Sequence, residues 1–512
     1  MKIKQFLLRP RTIGAVSCGV VFFALYLYTS APAVLASDTG DWEAAGATLG
    51  ISHAPGSPAY TILSWIFSHL VIYSNMAARV NLYSGLVGAI GVSAVFVFVI
   101  MLFDRWLPAL IAAATLGLGG QYWAHASVAD PYNGVVVLIA VFLILLLMWQ
   151  KNGNVRLAWW AAFLVGFGLA YHPSLIYFLP VLLAGFFVLG PWRLLLTPKT
   201  ILPAVLFLAL GLSILAYLPI RSATNPEISY GKIDSLSSFY SFVSASDARR
   251  TGAVEPGVPG TDVVQDKLST VVRQGYFPSY AFLTFAAAII LFYPAVWKRL
   301  KPRRRMLVFL LAGAVVHMSI IFAVSRLYVH YYLPLLLYFS IWAGFSIYLI
   351  MLMAEAYLKE GRGRKLPVLI AGAVYIIVLS LGIPTLWPFV NHHDDLSMKD
   401  YANVVFGQAK PGAVVLADWP SYGGLRYEQA VEGKRPDLRI ISVSPDDWRS
   451  YLADVRAQHP PQILASHNYS FQPEDHAVQL STGYRVSIKG RTYQDVRHGE
   501  PYPYVLMLFE IQ

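Results

Sequence analysis

The chain has 512 residues, of which 56% are hydrophobic and 13% are charged. A soluble globular protein of this length is less apolar, so the composition predicts a polytopic membrane protein. Lysine and arginine number 39 against 28 acidic residues, and in a membrane protein such an excess indicates cytoplasmic loops and no nucleic-acid partner. The single cysteine, Cys18, excludes an intrachain disulfide.

The N-terminal segment joins a basic stretch to the first apolar run, at about 13–36. This run is close to the roughly 20 residues that a spanning helix needs, which favours a retained membrane anchor. Its end also fits a cleaved signal peptide, because Val34 and Ala36 occupy the small-residue positions of a cleavage site. Both alternatives deliver the residues after Ala36 to the outer side of the membrane.

Twelve apolar runs are candidate membrane segments. They lie at about 13–36, 60–73, 80–103, 107–124, 131–149, 156–171, 174–190, 200–220, 280–297, 306–324, 331–353 and 366–388. If the run at 60–73 crossed the membrane, the basic cluster at 298–305 would lie outside, which the positive-inside rule disfavours. We therefore expect an interfacial or re-entrant helix at 60–73, and eleven crossings with a cytoplasmic N-terminus and an extracytoplasmic C-terminus.

This topology places the polar segments on one face of the membrane. The membrane domain is predicted at 1–390, with a first extracytoplasmic loop at 37–79 and a long one at 221–279. Residues 391–512 have the composition of a soluble domain. Four stretches there read as strands and two as helices, which predicts a small extracytoplasmic α/β domain. The strands are A-V-V-L-A-D, D-L-R-I-I-S-V, Q-I-L-A-S and Y-V-L-M-L-F-E-I, and the helices are 398–408 and 446–456.

Two acids open the first extracytoplasmic loop. Asp38 and Asp41 are three residues apart at the start of a predicted short helix, where they fit a cap and a first-turn acid that interacts with the helix dipole. A carboxylate at the membrane surface also fits a general base that takes a proton from a hydroxyl. His53 lies in the turn H-A-P-G-S-P, where it fits a phosphate contact or a hydrogen bond to the backbone.

The segment from Asp38 to Tyr60 resembles the signature of a known transmembrane family. That signature reads D-S-G-E, then a helix, then G-x-x-H-P-P-G-Y-P-L-Y. Further strings resemble the family in the same order along the chain, at 122–132, 168–174, 219–226, 331–334, 416–418, 427–429 and 435–438. The chain is thus identified as a bacterial member of the transmembrane protein O-mannosyltransferase-like family, in the GT-C superfamily, whose members use lipid-phosphate-linked sugars.

The resemblance implies roles for several residues. The catalytic acid of GT-C enzymes follows the first membrane helix, which implies Asp38 as the base, with Asp41 or Glu43 as runner-up. Asp130 resembles a second acid of the superfamily, although it also fits a cap on the helix that begins at Pro131. Arginine matches phosphate oxygens and also contacts lipid headgroups, so the donor phosphate has arginine and weaker histidine candidates. They are Arg221 and Arg326, then His53, His172 and His330.

The sequence also departs from the family's pattern. Asp41, Ala54 and Ser57 replace the signature's Glu, its second Pro and its Tyr, and the N-W-G-D-P segment is reduced to 229–233, with Lys232 in place of the acid. These changes leave open a non-catalytic transporter or an assembly partner for lipid-linked glycans. The acids concentrate at one membrane edge and not along midmembrane faces, which favours an enzyme.

The resulting expectation is a mainly α, GT-C-like bundle of about eleven membrane helices in the bacterial cytoplasmic membrane. It would act as an inverting glycosyltransferase that moves a sugar from a polyprenyl-phosphate-linked donor to a hydroxyl of an acceptor protein or glycan. The departing lipid phosphate carries its own charge, so no cofactor or divalent metal is required. The segment 392–395, H-H-D-D, fits a metal site less well than a solvated linker.

Overall fold

The computed structural model describes residues 10–246, 298–324, 329–358, 362–443, 448–468, 484–488 and 504–511, and it is mainly helical. The helices of the first half are α1 (Pro10–Thr29), α2 (Asp38–Thr48), α3 (Pro58–Leu70), α4 (Met76–Phe103), α5 (Trp106–Gly117), α6 (Gly120–Ala126), α7 (Tyr132–Asn152), α8 (Arg156–Tyr171), α9 (Leu179–Leu189), α10 (Pro198–Leu212), α11 (Tyr217–Ser222) and α12 (Leu236–Val243). Those that follow are α13 (Arg304–Val324), α14 (Leu333–Tyr357), α15 (Arg362–Leu381), α16 (Ile383–Val390), α17 (Ser397–Gln408), α18 (Trp419–Ala430) and α19 (Trp448–Arg456).

Six helices in the described ranges are long and apolar enough to cross a membrane, and a seventh span forms if α15 and α16, bent by 46°, are counted as one. The six spans are Arg11–Thr29, Met76–Phe103, Tyr132–Asn152, Pro198–Ser222, Arg304–Ile321 and Leu333–Ala356. The helices α5, α8 and α9 are apolar but shorter. The predicted run at 280–297 lies outside the described residues. A multi-pass helical protein is therefore confirmed, whereas the number of eleven crossings stays a prediction.

The run predicted to be interfacial forms helix α3, which has 13 residues. At 1.5 Å per residue it is about 20 Å long, shorter than the roughly 30 Å of a bilayer core. One side of α3 is buried through Tyr60, Thr61 and Ser64, while Ile66 and Leu70 are exposed. A short helix with one apolar exposed side fits an interfacial position, and its placement in the bilayer stays a prediction.

Helix α4 lies at the centre of the bundle, in contact with α1, α5 and α7. Its small residues permit this close packing, since a Cβ atom added at Gly88 would lie 2.9 Å from the Cβ of Ala126. A Cβ atom added at Gly91 would lie 2.1 Å from the Tyr122 hydroxyl oxygen. The helix begins at a polar cap, where the Asn75 side chain accepts a hydrogen bond from the backbone N–H of Ala78 at 2.9 Å.

The four predicted strands are all present in a five-stranded sheet. They are β1 (Val414–Ala417), β2 (Arg439–Ser442), β3 (Ile463–Asn468) and β5 (Tyr504–Ile511), and β4 (Tyr484–Ile488) is an additional strand that the sequence reading missed. The strand order is β2-β1-β3-β5-β4, in which β1 pairs in parallel with β2 and β3, and β5 pairs in antiparallel with β3 and β4. The domain boundary at residue 391 and its extracytoplasmic side stay predictions.

Candidate functional site

Eight residues separate helix α2 from the end of α1, and α2 packs against α3 and α4 of the bundle and against α18 of the C-terminal region. Its middle is rich in small residues, which lets neighbouring backbones approach it closely. A Cβ atom added at Gly40 would lie 2.8 Å from the backbone nitrogen of Gly424, and one added at Gly423 would lie 2.7 Å from that of Asp41. In addition, the Ser37 N–H donates to the carbonyl of Pro420 at 2.8 Å. The first residues of α2 and α18 therefore form one site.

Asp38 is the first residue of α2, and its carboxylate is half-buried. Its Oδ1 atom accepts a hydrogen bond from the indole Nε1–H of Trp419 at 2.6 Å. Trp419 is the first residue of α18, and one residue separates it from the carboxyl end of β1. A carboxylate that is held by one oxygen and still partly exposed can accept a proton from a hydroxyl group that reaches it.

Asp41 lies one turn further along α2 and is paired with His53. Its Oδ2 atom accepts hydrogen bonds from the backbone N–H of His53 at 2.8 Å and from the imidazole Nδ1 of the same residue. Burial raises the pKa of Asp41, and the contacts with His53 act in the opposite direction. Burial disfavours protonation of His53, but the Asp38 and Asp41 carboxylates outweigh it and raise the pKa of the imidazole. The site thus places the imidazole of His53 between two acids, which favour its protonated form.

Aromatic rings surround the imidazole of His53. The ring of Trp42 lies 4.9 Å from it and the ring of Trp419 lies 5.1 Å from it, measured between centroids. The side chain of His53 remains 22% exposed, whereas that of Asp41 is 1% exposed. His53 therefore forms the accessible part of the pair, and Asp41 forms its buried support.

Glu43, the other runner-up for the catalytic base, is fully buried. Its Oε2 atom accepts a hydrogen bond from the backbone N–H of Leu35 at 2.8 Å. Burial raises the pKa of Glu43 well above its usual value. These contacts tie the segment between α1 and α2 to the helix, which favours a structural role over proton transfer to a substrate.

A second acid–histidine pair forms around Asp130. The Nδ1 atom of His125 lies 2.8 Å from Oδ2 of Asp130, while Oδ1 accepts a hydrogen bond from the backbone N–H of Tyr132 at 2.8 Å. Asp130 therefore contacts the first residue of α7, as the cap alternative proposes, and pairs with a histidine as well. The backbone N–H of Asp130 donates to Ser84 Oγ at 3.0 Å, and that oxygen also lies 3.0 Å from the Tyr60 hydroxyl.

His172 is buried beside this second pair, and its ring centroid lies 4.6 Å from that of Tyr132. Its Nδ1 atom accepts a hydrogen bond from the backbone N–H of Ser174 at 3.2 Å, so the neutral ring carries its proton on Nε2. Burial, with a smaller contribution from His53, lowers the pKa of His172 to about 3. At neutral pH His172 can offer a hydrogen bond to a phosphate but no positive charge.

Of the two predicted arginines, Arg221 is described by the structure, and it does not lie beside Asp38. Arg221 lies at the opposite end of α2, where its guanidinium donates to the carbonyls of Leu49 at 2.7 Å and Thr48 at 3.4 Å and to the Thr224 hydroxyl at 3.1 Å. Three of its five N–H groups thus bind the protein, which is the favourable arrangement for a cation at a helix C-terminus. Arg326 lies outside the described residues. The backbone of His330 lies in the short 3₁₀ segment Val329–Tyr332, but its side chain lies outside the described part.

The sequence reading missed two aromatic residues of the site, Trp419 and Tyr230. The Tyr230 ring lies 5.5 Å from that of Trp419, and a short parallel bridge between Ile51 and Ser229 holds it there. Burial and the charge of Asp41 raise the pKa of the Tyr230 hydroxyl well above its usual value. The available signal for Trp419 was its position after a predicted strand of an α/β domain, since ligand sites of α/β sheets lie at carboxyl ends of strands.

The H-H-D-D segment forms a local pair in the structure. The Nδ1 atom of His392 lies 3.4 Å from Oδ2 of Asp395, and its Nε2 atom lies 3.2 Å from the carbonyl oxygen of Phe389. Among the described residues, no group of three or more His, Cys, Asp or Glu side chains could hold a metal ion.

Comparisons with known proteins relate this chain to two groups. Residues 38–194 match the model of the "Protein O-mannosyl-transferase TMEM260 N-terminal domain", so the match begins at Asp38. The Protein O-mannosyl-transferase TMEM260 of Mus musculus is 26% identical over 42% of this chain and 31% of its own length. That of Dictyostelium discoideum is 22% identical over 25% of this chain and 17% of its own length. The matched segments therefore span less than a third of these relatives.

Solved structures extend the likeness to nearly the whole chain. The crystal structure of ArnT from Cupriavidus metallidurans bound to undecaprenyl phosphate superposes with a TM-score of 0.59 at 14% identity, covering 97% of each chain. The apo state of the same protein gives a TM-score of 0.57 at 14% identity over the same coverage. The chain therefore shares the fold of ArnT over nearly its whole length, and the family match supports the resemblance to protein O-mannosyltransferases.

Proposed function

We propose that the protein is an inverting GT-C glycosyltransferase that moves a sugar from a polyprenyl-phosphate-linked donor to a hydroxyl of an acceptor protein or glycan. The observation that carries this proposal is the half-buried carboxylate of Asp38, placed just after the first membrane helix and held by Trp419 at 2.6 Å. The mannosyltransferase relatives and the ArnT structure with its bound lipid phosphate support it.

In the proposed reaction, Asp38 acts as the general base. The acceptor oxygen attacks the anomeric carbon of the sugar while its proton passes to the free carboxylate oxygen of Asp38. The bond between that carbon and the phosphate oxygen breaks, and its electron pair leaves with the lipid phosphate. Attack opposite the leaving group inverts the configuration at the anomeric carbon.

The leaving phosphate gains negative charge and needs a cation or hydrogen-bond donors close by. His53 is the best placed candidate, because Asp38 and Asp41 favour its protonated form and its side chain is 22% exposed. His172 offers a neutral donor, and Arg326 and His330 remain candidates from the sequence. The contacts of Arg221 favour support of α2 over donor binding. The reaction requires no metal ion in this scheme.

We place the reaction on the extracytoplasmic face of a bacterial cytoplasmic membrane. The supporting observation is the distribution of charge, because the acids and histidines of the site lie beyond the C-terminal end of α1. The basic residues at 298–305 lie at the N-terminal end of α13, where Arg303 and Arg305 line one cavity with Arg11 at the start of α1. Basic residues mark the cytoplasmic side of membrane proteins.

The test is the substitution Asp38→Asn in the full-length protein. Asparagine keeps an oxygen that can accept from Trp419 but has no basic site, so we expect transfer to fall by roughly 10²- to 10⁴-fold with unchanged expression in the membrane. Mass spectrometry first identifies the glycans or glycoproteins lost on deletion of the gene, and the variant is then tested for restoring them. The matched control is Asp394→Asn, whose carboxylate is 87% exposed, and it should restore them fully. Full activity of Asp38→Asn contradicts the proposal.

A further inference from the structure

A polar cavity of about 470 Å³ lies at the end of the bundle opposite the proposed catalytic site. Arg11, at the start of α1, is one of its lining residues, whereas Asp38 follows the end of α1. Helix α1 has 20 residues and is therefore about 30 Å long, close to the thickness of a bilayer core. The cavity and the catalytic site thus lie at opposite edges of the membrane.

The cavity carries an excess of positive charge. Its lining includes four cationic side chains and the single carboxylate of Asp104, which is paired with Arg11. The four cations are Arg11, Lys151, Arg303 and Arg305. An anion with more than one oxygen would therefore be attracted here, because one carboxylate cannot balance four cations.

Hydrogen bonds to backbone carbonyls fix two of these cations in place. The Lys151 ammonium donates to the carbonyl of Met101 at 2.8 Å, and Arg303 Nε donates to that of Leu102 at 2.8 Å. The guanidinium of Arg303 also lies 5.4 Å from the centre of the Tyr348 ring. The positive charges are thus held close together before any ligand binds, which lowers the entropic cost of binding.

An apolar groove of about 770 Å³ adjoins this cavity and runs between α9 and α13. Val308, Ala312 and Val316 follow one stripe of α13, and Val181 and Val188 face them from α9. From Val308 to Val316 the stripe on α13 covers nine residues, which is a rise of about 12 Å. Arg305 lines both the groove and the polar cavity, so an apolar path leads directly to the cluster of cations.

We propose that the cavity and the groove together bind one acidic glycerophospholipid of the membrane leaflet at that edge. Its phosphate lies among Arg11, Lys151, Arg303 and Arg305, and one acyl chain lies in the groove between α9 and α13. Basic pockets between membrane helices are suited to lipid headgroups, and the groove explains why a lipid is favoured over a free phosphate. This lipid is distinct from the sugar donor, whose phosphate would lie at the other edge.

The test uses the purified full-length protein, stripped of lipid, and native mass spectrometry with dioleoyl phosphatidylglycerol. The wild type should bind this lipid more tightly than phosphatidylcholine with the same chains. Arg305→Glu should weaken binding by about tenfold, since each basic residue near an anionic headgroup contributes roughly fivefold and the variant adds a negative charge. The matched control is Arg156→Glu, an exposed basic residue at the start of α8 that lines neither the cavity nor the groove, and it should bind as the wild type does.

A second pair of variants separates a lipid from a free phosphate. Ala312→Trp fills the groove and should also weaken binding of phosphatidylglycerol, while Val315→Trp, at an exposed position of α13 outside the groove, should not. Unfolding midpoints of all variants without lipid confirm that they are folded. Equal binding of phosphatidylcholine overturns the proposal. The proposal is also overturned if inorganic phosphate displaces phosphatidylglycerol and Ala312→Trp binds this lipid as the wild type does, because a free anion would then be the ligand. Neither result depends on sugar transfer.

Discussion

Two aspartate–histidine pairs, Asp41–His53 and Asp130–His125, have similar contacts and different surroundings. In both, the Nδ1 atom of the imidazole faces a carboxylate oxygen of a nearly buried aspartate. The side chain of His125 is 0% exposed, whereas that of His53 is 22% exposed and lies beside Asp38 and two indole rings.

From this difference we infer that one pair is structural and that the other also serves the proposed site. A fully buried pair fixes the chain around it, here the start of α7 and the segment that precedes it. A pair with one exposed member can also present charge to a ligand. The predictions below test that division, from the largest expected effect to the smallest.

Replacing His125 by alanine should have the largest effect on stability. It leaves the buried carboxylate of Asp130 without its imidazole partner, and breaking a buried pair in this way costs about 3–5 kcal/mol. Thermal unfolding in detergent micelles, followed by tryptophan fluorescence, measures the loss. The control His69→Ala removes an exposed histidine of α3 and should leave the midpoint nearly unchanged. A His125→Ala protein as stable as the wild type would contradict the structural role of this pair.

Replacing His53 by glutamine should mainly reduce the rate of transfer. Glutamine can still donate a hydrogen bond to Asp41 but carries no charge, so we expect kcat to fall by about 10²-fold with a small change in stability. The measurement is kcat and KM with a lipid-linked sugar once the sugar is identified. The control is His393→Gln, whose side chain is 53% exposed, and it should retain the wild-type rate. An unchanged kcat in His53→Gln would remove His53 from the mechanism.

Replacing Trp419 by phenylalanine should reduce transfer by about tenfold. The ring contacts with His53 and Tyr230 are kept, but the N–H that binds Asp38 is lost. A hydrogen bond to a charged group contributes roughly 1.5–3 kcal/mol, and for a carboxylate that is only half-buried we expect the lower end of this range, which corresponds to about tenfold. Initial rates at saturating donor measure this effect. The matched control is Trp160→Phe, at a position on α8 that is 53% exposed, and it should leave the rate of transfer unchanged. Loss of folding in Trp419→Phe, seen as a lowered unfolding midpoint, would instead assign Trp419 to packing.

The pH dependence of stability should show the smallest effect. Because the pKa of His53 is raised in the folded protein, its contribution is fully present below its usual value of 6.5 and is lost as pH rises through the raised value. Asp41 also makes the protein less stable as pH rises, but in a lower pH range. Burial raises the pKa of Asp41 above 3.8 in the folded protein, so ionisation of this carboxyl lowers the free energy of unfolding. Unfolding midpoints measured upward from pH 6 should therefore decline, and the decline should be shallower in His53→Gln. Identical slopes in both proteins would contradict the raised pKa of His53.

Local patterns in the sequence were sufficient for several features of the fold. Hydrophobic runs indicated the membrane helices, and short apolar stretches in the C-terminal region indicated four of the five strands that the structure describes. Asp38, Asp41 and His53 were recognised together because one short segment contains them all. In such cases the residues that interact are close in sequence. The period of the hydrophobic residues, or the spacing between polar ones, then indicates which residues lie together.

Contacts between distant segments could not be predicted in the same way. The partner of Asp38 is 381 residues away, and the glycines that bring α2 and α18 together have no periodicity that reveals their contact. Arg221 was expected at the donor phosphate because arginine suits phosphate, but the structure shows it bound to the C-terminal carbonyls of α2. A residue's chemistry indicates which ligands it can bind, and only the fold shows which it reaches.

The hydrogen bond between Asp38 and Trp419 also has a consequence for the timing of biosynthesis. Since the two residues are 381 positions apart, a ribosome adding about 5–20 residues per second completes the partner of Asp38 roughly 20–75 s after Asp38 itself. During that interval the growing chain holds its proposed base without the indole that orients it. The hydrogen bond that holds Asp38 can therefore form only on a chain whose C-terminal sheet has already begun to emerge.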